Sequence, residues 1–198
     1  ASGDGFHLAA GNELATPLTL VTMDFDNETR DETTPDIGAD EYNLANYDGV
    51  VNVPGELPTI QGAIDIAVNG DSILVAAGTY TENIDYSGKN LIIIGENRET
   101  TIIDGNSIGR VVNMAGSESI LSNFTIQNGT GSETVRGSGI YAAGNDILNN
   151  LIVKNNTNTS GWGAGITLGG ISNGIDKPIL KNSIIIDNNG DGIVCDGG

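Results

Sequence analysis

From Asp71 to the end of the chain, short apolar runs alternate with turns that are rich in Gly, Asn and Asp. The runs are dominated by Ile, Val and Leu and are bounded by Gly-containing turns, which is typical of short β-strands. The first predicted strands are Ser72–Ala76, Asn90–Ile94, Thr101–Ile103 and Arg110–Val112. This pattern predicts an all-β structure for most of the chain.

A Gly-containing motif recurs in the second half of the chain at intervals of 28, 26 and 27 residues. Its copies are Gly109–Val112, Gly137–Ile140, Gly163–Ile166 and Gly190–Ile193. The first three are followed by the β-rich runs Phe124–Asn128, Leu151–Asn155 and Ile184–Asn188. Hairpins return every 8–12 residues or so, whereas a unit of three short strands stacked on its own copies returns at about this longer interval. The period therefore predicts a right-handed parallel β-helix.

Stacked repeats place equivalent residues above one another. Asn128, Asn155 and Asn188 end the three β-rich runs, so they are predicted to form an inward ladder. Their amides would hydrogen-bond to each other and to the backbone of the turns.

One amphipathic helical pattern precedes the repeats. Its apolar positions are Ile60, Ala63, Ile64, Ala67 and Val68, with Thr59 as N-cap and Asn69–Gly70 as the stop. A helix over residues 59–69 would cover the apolar end of the first repeat, as a cap does in a repeat array. Residues 44–58 contain Pro54 and Pro58 and are predicted to be a linker. The β-helix itself is assigned to residues 59–198.

Residues 1–43 differ in composition, with ten acidic side chains against Arg30 alone. Their apolar stretches are too short to form a core, so this segment is expected to dock on other repeats or to stay loose. The whole chain has 26 acidic and 8 basic residues and a net charge of −18. Such a charge disfavours nucleic acid and anionic membranes as partners. The same charge suits a secreted protein, a protein from a salty habitat, a Ca²⁺-binding protein or simply a highly soluble one. No apolar stretch of the sequence approaches the ~20 residues of a membrane helix.

Several segments resemble the N-terminal cap and first coils of the pectin lyase-like β-helix superfamily, over roughly residues 50–198. They are Pro58–Ile64, Gly70–Val75, Gly78–Glu82, Asn90–Gly95 and Thr101–Gly105. The superfamily includes pectin methylesterases, pectate lyases and many surface proteins, so the resemblance implies the fold more than any one chemistry.

The N-terminal segment resembles a different part of such proteins. Phe6–Gly11, Asp24–Asp26, Arg30 and Pro35–Tyr42 look like the closing "DIGA-x-E" segment of bacterial surface β-helix proteins. The resemblance implies that residues 1–43 are the tail of a preceding or neighbouring module and that the β-helix is incomplete at its C-terminal end. The expected partners are further modules of the same polypeptide or other copies associated head to tail, and the expected location is extracellular or at the cell surface.

Pectate lyases use an Arg or Lys base together with Ca²⁺ held by Asp residues. The basic candidates here are Arg136, Lys154 and Lys181, and the acidic ones are Asp104, Asp146, Asp187 and Asp191. Lys154 and Asp187 are predicted to be neighbours about 5 Å apart on one ladder, as a lyase pair or as a surface salt bridge. The hydrolase and methylesterase motifs of the superfamily are absent from the sequence, so no complete catalytic motif is present.

Two further groups of residues suggest ligands. Carboxylates stand at alternate positions in Asp24, Asp26 and Glu28, as they do in a calcium loop, so Ca²⁺ is the one cofactor that the sequence suggests. The alternative is structural: Arg30 would pair with Asp36 or Glu41 and hold this loop together. Trp162 lies among glycines and would stack on a sugar or pack over a turn.

The remaining candidates concern modification and the single thiol. Candidates for N-glycosylation are Asn27, Asn123, Asn128, Asn155 and Asn158. Cys195 is predicted to be a small buried side chain.

Two functions are therefore expected from the sequence. The first is a structural or adhesive β-helix module of an extracellular surface protein or fibre, with polysaccharide as a candidate partner. The alternative is a polysaccharide lyase or epimerase that acts on acidic glycans with Ca²⁺.

Overall fold

Short parallel strands are the main regular secondary structure of the computed structural model, which describes residues 48–132, 135–160, 163–169 and 178–196. Sheet A contains β1 (Val50–Val53), β2 (Ser72–Val75), β5 (Ile92–Gly95), β8 (Ile120–Ser122), β12 (Ile147–Asn149) and β16 (Ile179–Lys181). Sheet B contains β3 (Gly78–Thr81), β6 (Thr101–Asp104), β9 (Thr125–Gln127), β13 (Ile152–Lys154) and β17 (Ile184–Ile186). Sheet C contains β4 (Ile84–Asp85), β7 (Val112–Ser117), β11 (Ile140–Gly144), β15 (Ile166–Gly169) and β18 (Ile193–Cys195). A short parallel pair, β10 (Thr130–Gly131) with β14 (Thr157–Asn158), lies between sheets B and C in the chain order.

The chain enters the three sheets in the constant order A, B, C, and we call each such passage a repeat. The five repeats are β2–β4, β5–β7, β8–β11, β12–β15 and β16–β18. Every pairing between these strands is parallel and joins one repeat to the next. The predicted all-β fold with parallel strands stacked in register is confirmed.

The core consists of columns of aliphatic side chains, one residue from each repeat. The central column of sheet A holds Ile73, Ile93, Leu121 and Leu148, and that of sheet C holds Ile84, Val112, Ile140 and Ile166. All of these are essentially inaccessible to solvent. Because successive side chains of a strand point to opposite faces, one in-register column per sheet is enough to give the stack a continuous apolar interior.

The Gly-containing motif has a physical explanation in the stacking. Its first glycine adopts a left-handed backbone in the second and third copies, with φ of +63° at Gly137 and +66° at Gly163. Its second glycine approaches the next repeat closely, since a Cβ on Gly139 would lie 2.5 Å from the carbonyl oxygen of Gly165. A Cβ on Gly165 would lie 2.3 Å from the corresponding oxygen of Gly192. The two glycines are thus required for different reasons, one for conformation and one for space.

The predicted inward ladder of Asn128, Asn155 and Asn188 is wrong, because Asn155 is exposed and the last member is out of register by one residue. Ile152 pairs with Ile184, so Asn155 aligns with Asp187, and the Asn155 N–H donates to the Asp187 carbonyl oxygen at 3.2 Å. Asn128, Asn155 and Asp187 all have φ between +53° and +58°, a left-handed turn conformation that both Asn and Asp tolerate.

The buried amide ladder follows one position later. Asn156 Nδ2 donates to Asn188 Oδ1 at 3.0 Å, and Asn156 Oδ1 accepts from the Gly129 N–H at 2.7 Å. Asn156 is fully buried, whereas Asn155 is exposed.

The capping helix, α1, spans Ile60–Ile66 and is shorter than predicted. Thr59 is the N-cap as expected, and its Oγ1 accepts from the Gly62 N–H at 3.1 Å. The helix ends before Asn69–Gly70 because Ala67 is already extended, so Val68 is 60% exposed and does not belong to the buried face. The predicted linker is also not entirely irregular, since β1 lies within it and pairs with β2.

Two charged side chains of the first repeat bind the ends of α1. The Glu82 carboxylate accepts from the N–H groups of Ile60 and Gln61 at 3.0 and 2.9 Å. At the other end, Lys89 Nζ donates to three carbonyl oxygens, those of Ile64, Asp65 and Ala67, at 2.8–2.9 Å. Each charge has the sign that the helix dipole favours at that end, and both satisfy backbone groups that the helix leaves unpaired.

The last repeat exposes side chains from columns that are buried elsewhere. Ile193 continues the column of Ile140 and Ile166 but is 45% exposed. Cys195 continues the column of Ala142 and Leu168 and is exposed, which corrects the prediction that it is buried. The physical reason is that no strand among the described residues stacks on β18.

Candidate functional site

A groove of about 420 Å³ lies on the outer face of sheet C in the first three repeats. It is lined by Asn83, Ile84, Asp85, Arg110, Asn113 and Val135, and we call it the sheet C groove. Its polar side chains come from neighbouring repeats, because Asp85 on β4 is aligned with Asn113 on β7, which is aligned with Tyr141 on β11. Three positions of one outward column therefore build the site.

Arg110 is held in place by several contacts. Its Nε–H donates to the Arg136 and Gly137 carbonyl oxygens at 2.9 and 3.3 Å, and its Nη1 donates to Asn113 Oδ1 at 2.7 Å. The guanidinium carbon also lies 4.8 Å from the centroid of the Tyr141 ring, within the range of a cation–π contact. Nη2 makes no hydrogen bond to any of the described residues. The Nε and Nη1 groups of the guanidinium are therefore held by the protein, and the Nη2 group is not.

Asn113 links Arg110 to Asp85. Its Oδ1 accepts from Arg110, and its Nδ2 donates to Asp85 Oδ2 at 2.7 Å. The other oxygen of Asp85 accepts from the Ser87 N–H at 2.6 Å. The Asn113 amide can satisfy both neighbours in only one orientation, so the three side chains form an ordered donor–acceptor series.

The capping helix also contributes to the position of Asp85. Gln61 Oε1 accepts from the Asp85 N–H at 2.8 Å, and Gln61 Nε2 donates to the Asp85 carbonyl oxygen at 3.2 Å. This pair of contacts extends the sheet-like hydrogen bonding of the first repeat to the helix. The helix therefore fixes one wall of the groove as well as covering the core.

The charges in the groove are nearly balanced. Burial lowers the pKa of Arg110, whereas Tyr141 and Asp85 act in the opposite direction, and the net pKa lies below the ordinary value of an Arg side chain. The guanidinium nevertheless remains protonated at physiological pH. An ion pair between Arg136 Nη1 and Asp196 Oδ2 lies next to the backbone that Arg110 contacts. The groove thus combines one positive donor group with one exposed carboxylate acceptor.

The structure does not place Lys154 and Asp187 at equivalent positions. Lys154 is aligned with Ile186, and Asp187 is one residue further along, in the turn. Lys154 instead shares the outward column of sheet B with Gln127 and Asp104. The predicted ladder neighbours are therefore out of register by one residue.

The other candidate catalytic residues are dispersed over the fold. Arg136 lies beside the sheet C groove through its carbonyl oxygen, whereas Lys181 is exposed at the end of β16. Asp146 is fully buried, and its two carboxylate oxygens accept from the N–H groups of Ser119 and Ala143. The buried Tyr86 Oη has no hydrogen-bond partner among the described residues, and burial together with the nearby Asp146 raises the pKa of Tyr86 well above its usual value. Asp191 is exposed in the last repeat.

Asp104 has a structural environment. Its Oδ2 accepts from Gln127 Nε2 and Asn128 Nδ2, both at 2.8 Å, and its Oδ1 accepts from the Asn106 N–H at 2.9 Å. Burial raises the pKa of Asp104, but these hydrogen bonds lower it by more, and the pKa lies below its ordinary 3.8. The carboxylate organises the turn after β6.

The predicted glycosylation positions differ in access. The Asn158 amide is buried and its Nδ2 donates to the Val135 carbonyl oxygen at 3.0 Å, so the folded chain does not present this side chain for modification. Asn123 and Asn128 are partly buried, and their side chains hydrogen-bond to Asn150 and Asp104. Asn155 is exposed and is the most accessible of these four.

Some candidates from the sequence lie outside the described residues. They are the calcium candidates Asp24, Asp26 and Glu28, the sequon at Asn27 and the sugar-stacking candidate Trp162. Within the part of the chain that the structure describes, no three His, Cys, Asp or Glu side chains are grouped so that they could hold a metal ion. No helix in that part is long and apolar enough to cross a membrane.

The sequence motifs did not indicate the sheet C groove. Asp85, Asn113 and Tyr141 are spaced 28 residues apart, which matches the repeat period and was the available signal. Arg110 belongs to the first copy of the Gly-containing motif, at the position that Ser138 and Ala164 occupy in the next two copies. Comparisons of the chain with protein-family models, curated proteins and solved structures found no match.

Proposed function

We propose that the chain is a right-handed parallel β-helix module of an extracellular surface protein or fibre, and that its role is structural and adhesive. The resemblance of roughly residues 50–198 to the pectin lyase-like superfamily supports the β-helix, as does the constant A, B, C order of the parallel sheets. The acidic composition and the resemblance of residues 1–43 to bacterial surface proteins support the extracellular location.

The observation that carries the structural role is the surface of the last repeat. Ile184, Ile186 and Ile193 are 43–48% exposed there, although strands in the middle of the stack bury most of their apolar side chains. The edge of each terminal strand also presents backbone N–H and C=O groups to any strand that approaches. A further parallel repeat would cover both the side chains and the backbone. We therefore propose that the last repeat associates with another module, and that free copies of the chain associate head to tail.

Sedimentation velocity over a concentration series tests the association. The wild-type chain is expected to form concentration-dependent assemblies, and Ile193→Glu is expected to shift it to monomer because the new carboxylate would lie in the contact. A matched control is Ile108→Glu, since Ile108 is 75% exposed in a turn of the second repeat. A wild-type chain that stays monomeric, or an Ile193→Glu variant that associates as the wild type does, would contradict the proposal.

The lyase or epimerase alternative has no specific support among the described residues. A direct assay remains decisive: incubation with polygalacturonate or alginate and Ca²⁺, with the unsaturated product followed by absorbance. Turnover above that of a heat-denatured sample would overturn the structural role as the only function.

A further inference from the structure

We propose that the sheet C groove binds a neutral saccharide through a pair of adjacent hydroxyl groups, with Arg110 as the donor and Asp85 as the acceptor. This goes beyond the structural role proposed above and does not depend on it. The groove lies in repeats 1–3, at the β4 end of sheet C, whereas the proposed association uses the last repeat, at the β18 end.

The first argument is the fixed position of both polar groups. Arg110 is restrained by two backbone carbonyl oxygens, by Asn113 and by the Tyr141 ring, and Asp85 is restrained by Asn113, Ser87 and Gln61. A site whose side chains are already ordered loses less conformational entropy when a ligand binds. The network therefore presents the Arg110 guanidinium and the exposed Asp85 carboxylate at the surface in an ordered arrangement.

The second argument is the pairing of donor and acceptor. A hydroxyl group both donates and accepts, so two neighbouring hydroxyls can receive a hydrogen bond from the free edge of Arg110 and give one to Asp85. A carboxylate or phosphate ligand would also accept from Arg110, but it would lie next to the Asp85 carboxylate, on a chain whose net charge is −18. The repulsion between like charges favours a neutral ligand.

The third argument is the shape of the groove. Its volume of about 420 Å³ lies in the range of small-molecule sites. Val135 is partly exposed and adds an apolar surface against which the C–H groups of a sugar ring can pack. Asp85, Asn113 and Tyr141 are successive members of one column, spaced about 4.8 Å apart as neighbouring parallel strands are. The ligand would therefore extend along the stacking direction, which suits a linear oligosaccharide.

Isothermal titration of the full chain with maltotetraose, cellotetraose and mannotetraose tests the inference, with tetragalacturonate as the acidic comparison. We expect at least one neutral tetrasaccharide to bind, and we expect Asp85→Asn and Arg110→Gln each to weaken it about tenfold, because each removes one charge-assisted hydrogen bond. Lys154→Gln on sheet B is the matched control and should leave the affinity unchanged. Asp85→Asn retains the size of an exposed side chain, and an unchanged urea midpoint would show that its fold is intact.

Three results would overturn the inference. They are the absence of binding to all three neutral tetrasaccharides, equal affinity of the wild type and the Asp85→Asn variant, and tighter binding of tetragalacturonate than of every neutral probe. None of these results bears on the sedimentation test, so the failure of either proposal can be recognised separately.

Discussion

Asn156→Ala is expected to lower the free energy of unfolding by about 2–4 kcal/mol. The fully buried amide of Asn156 accepts from the Gly129 N–H at 2.7 Å and donates to Asn188 Oδ1 at 3.0 Å. Alanine provides neither group, so the buried Gly129 N–H would lose its partner, which costs about 1–3 kcal/mol by itself. The lost bond to Asn188, whose side chain is partly buried, adds about 1 kcal/mol.

The neighbouring residue provides a matched control. Asn155 is exposed, its φ is +56° and its side chain makes no hydrogen bond among the described residues. Glycine adopts this backbone conformation without strain, so Asn155→Gly is expected to change the free energy of unfolding by less than about 0.5 kcal/mol. The two variants therefore distinguish the observed ladder from one built on Asn155.

Urea unfolding followed by circular dichroism provides the measurement. In thermal unfolding of a chain of this length, a loss of about 2–4 kcal/mol in Asn156→Ala corresponds to a fall in Tm of about 4–16 °C. A result in which Asn155→Gly is as destabilising as Asn156→Ala would refute the register, because it would place the structural amide at residue 155. An unaffected Asn156→Ala variant would show that the Gly129 N–H does not depend on this side chain.

Other predictions test the cap, the stacking distance and one carboxylate. Lys89→Met keeps the aliphatic stem but removes three hydrogen bonds to the end of α1, so it should cost about 1.5–3 kcal/mol in urea unfolding, whereas the exposed Lys181→Met should cost nearly nothing. Gly165→Ala should cost about 1–3 kcal/mol because its Cβ would meet a carbonyl oxygen of the next repeat, and Gly55→Ala, with ordinary space around it, should not. The pKa of Asp104 is lowered on folding, so its carboxylate stabilises the chain above the ordinary pKa of 3.8, and this contribution disappears as the pH falls through the lowered value. The urea midpoints of the wild type and Asp104→Asn should therefore differ near pH 7 and converge toward about pH 2; a constant difference would argue against this effect.

The fold could be predicted from the sequence because the apolar residues that form the core columns recur at the same interval as the Gly-containing motif. Val112, Ile140, Ile166 and Ile193 end the four motif copies and lie in one column of sheet C. The last β-rich run was harder to align, since Asp187 and Asn188 both suit a turn. Matching Asn188 to Asn155 moves the strand by one residue, whereas burial of the alternate side chains fixes the register of the structure. Local turn chemistry alone cannot detect such a shift.

The groove could not be predicted in the same way. Asp85 and Asn113 are equivalent only if the first repeat is aligned correctly with the second, and the Gly-containing motif begins after Asp85. The Arg110 side chain is also held in the groove by contacts with Arg136 and Tyr141, which belong to the following repeat. A search for residues at the repeat period that differ in chemistry from their equivalents in other repeats would have found this column.

The position of the groove near the cap has an evolutionary consequence. Repeat proteins change length by duplication or loss of whole units, and each unit contacts mainly its immediate neighbours. A unit gained after β15 would extend the molecule and leave Asp85, Asn113 and Tyr141 on consecutive strands. A unit inserted between β4 and β11 would separate them and destroy the site. Selection can therefore change the number of repeats, and with it the length of the stack, without changing the ligand that the groove near the cap binds.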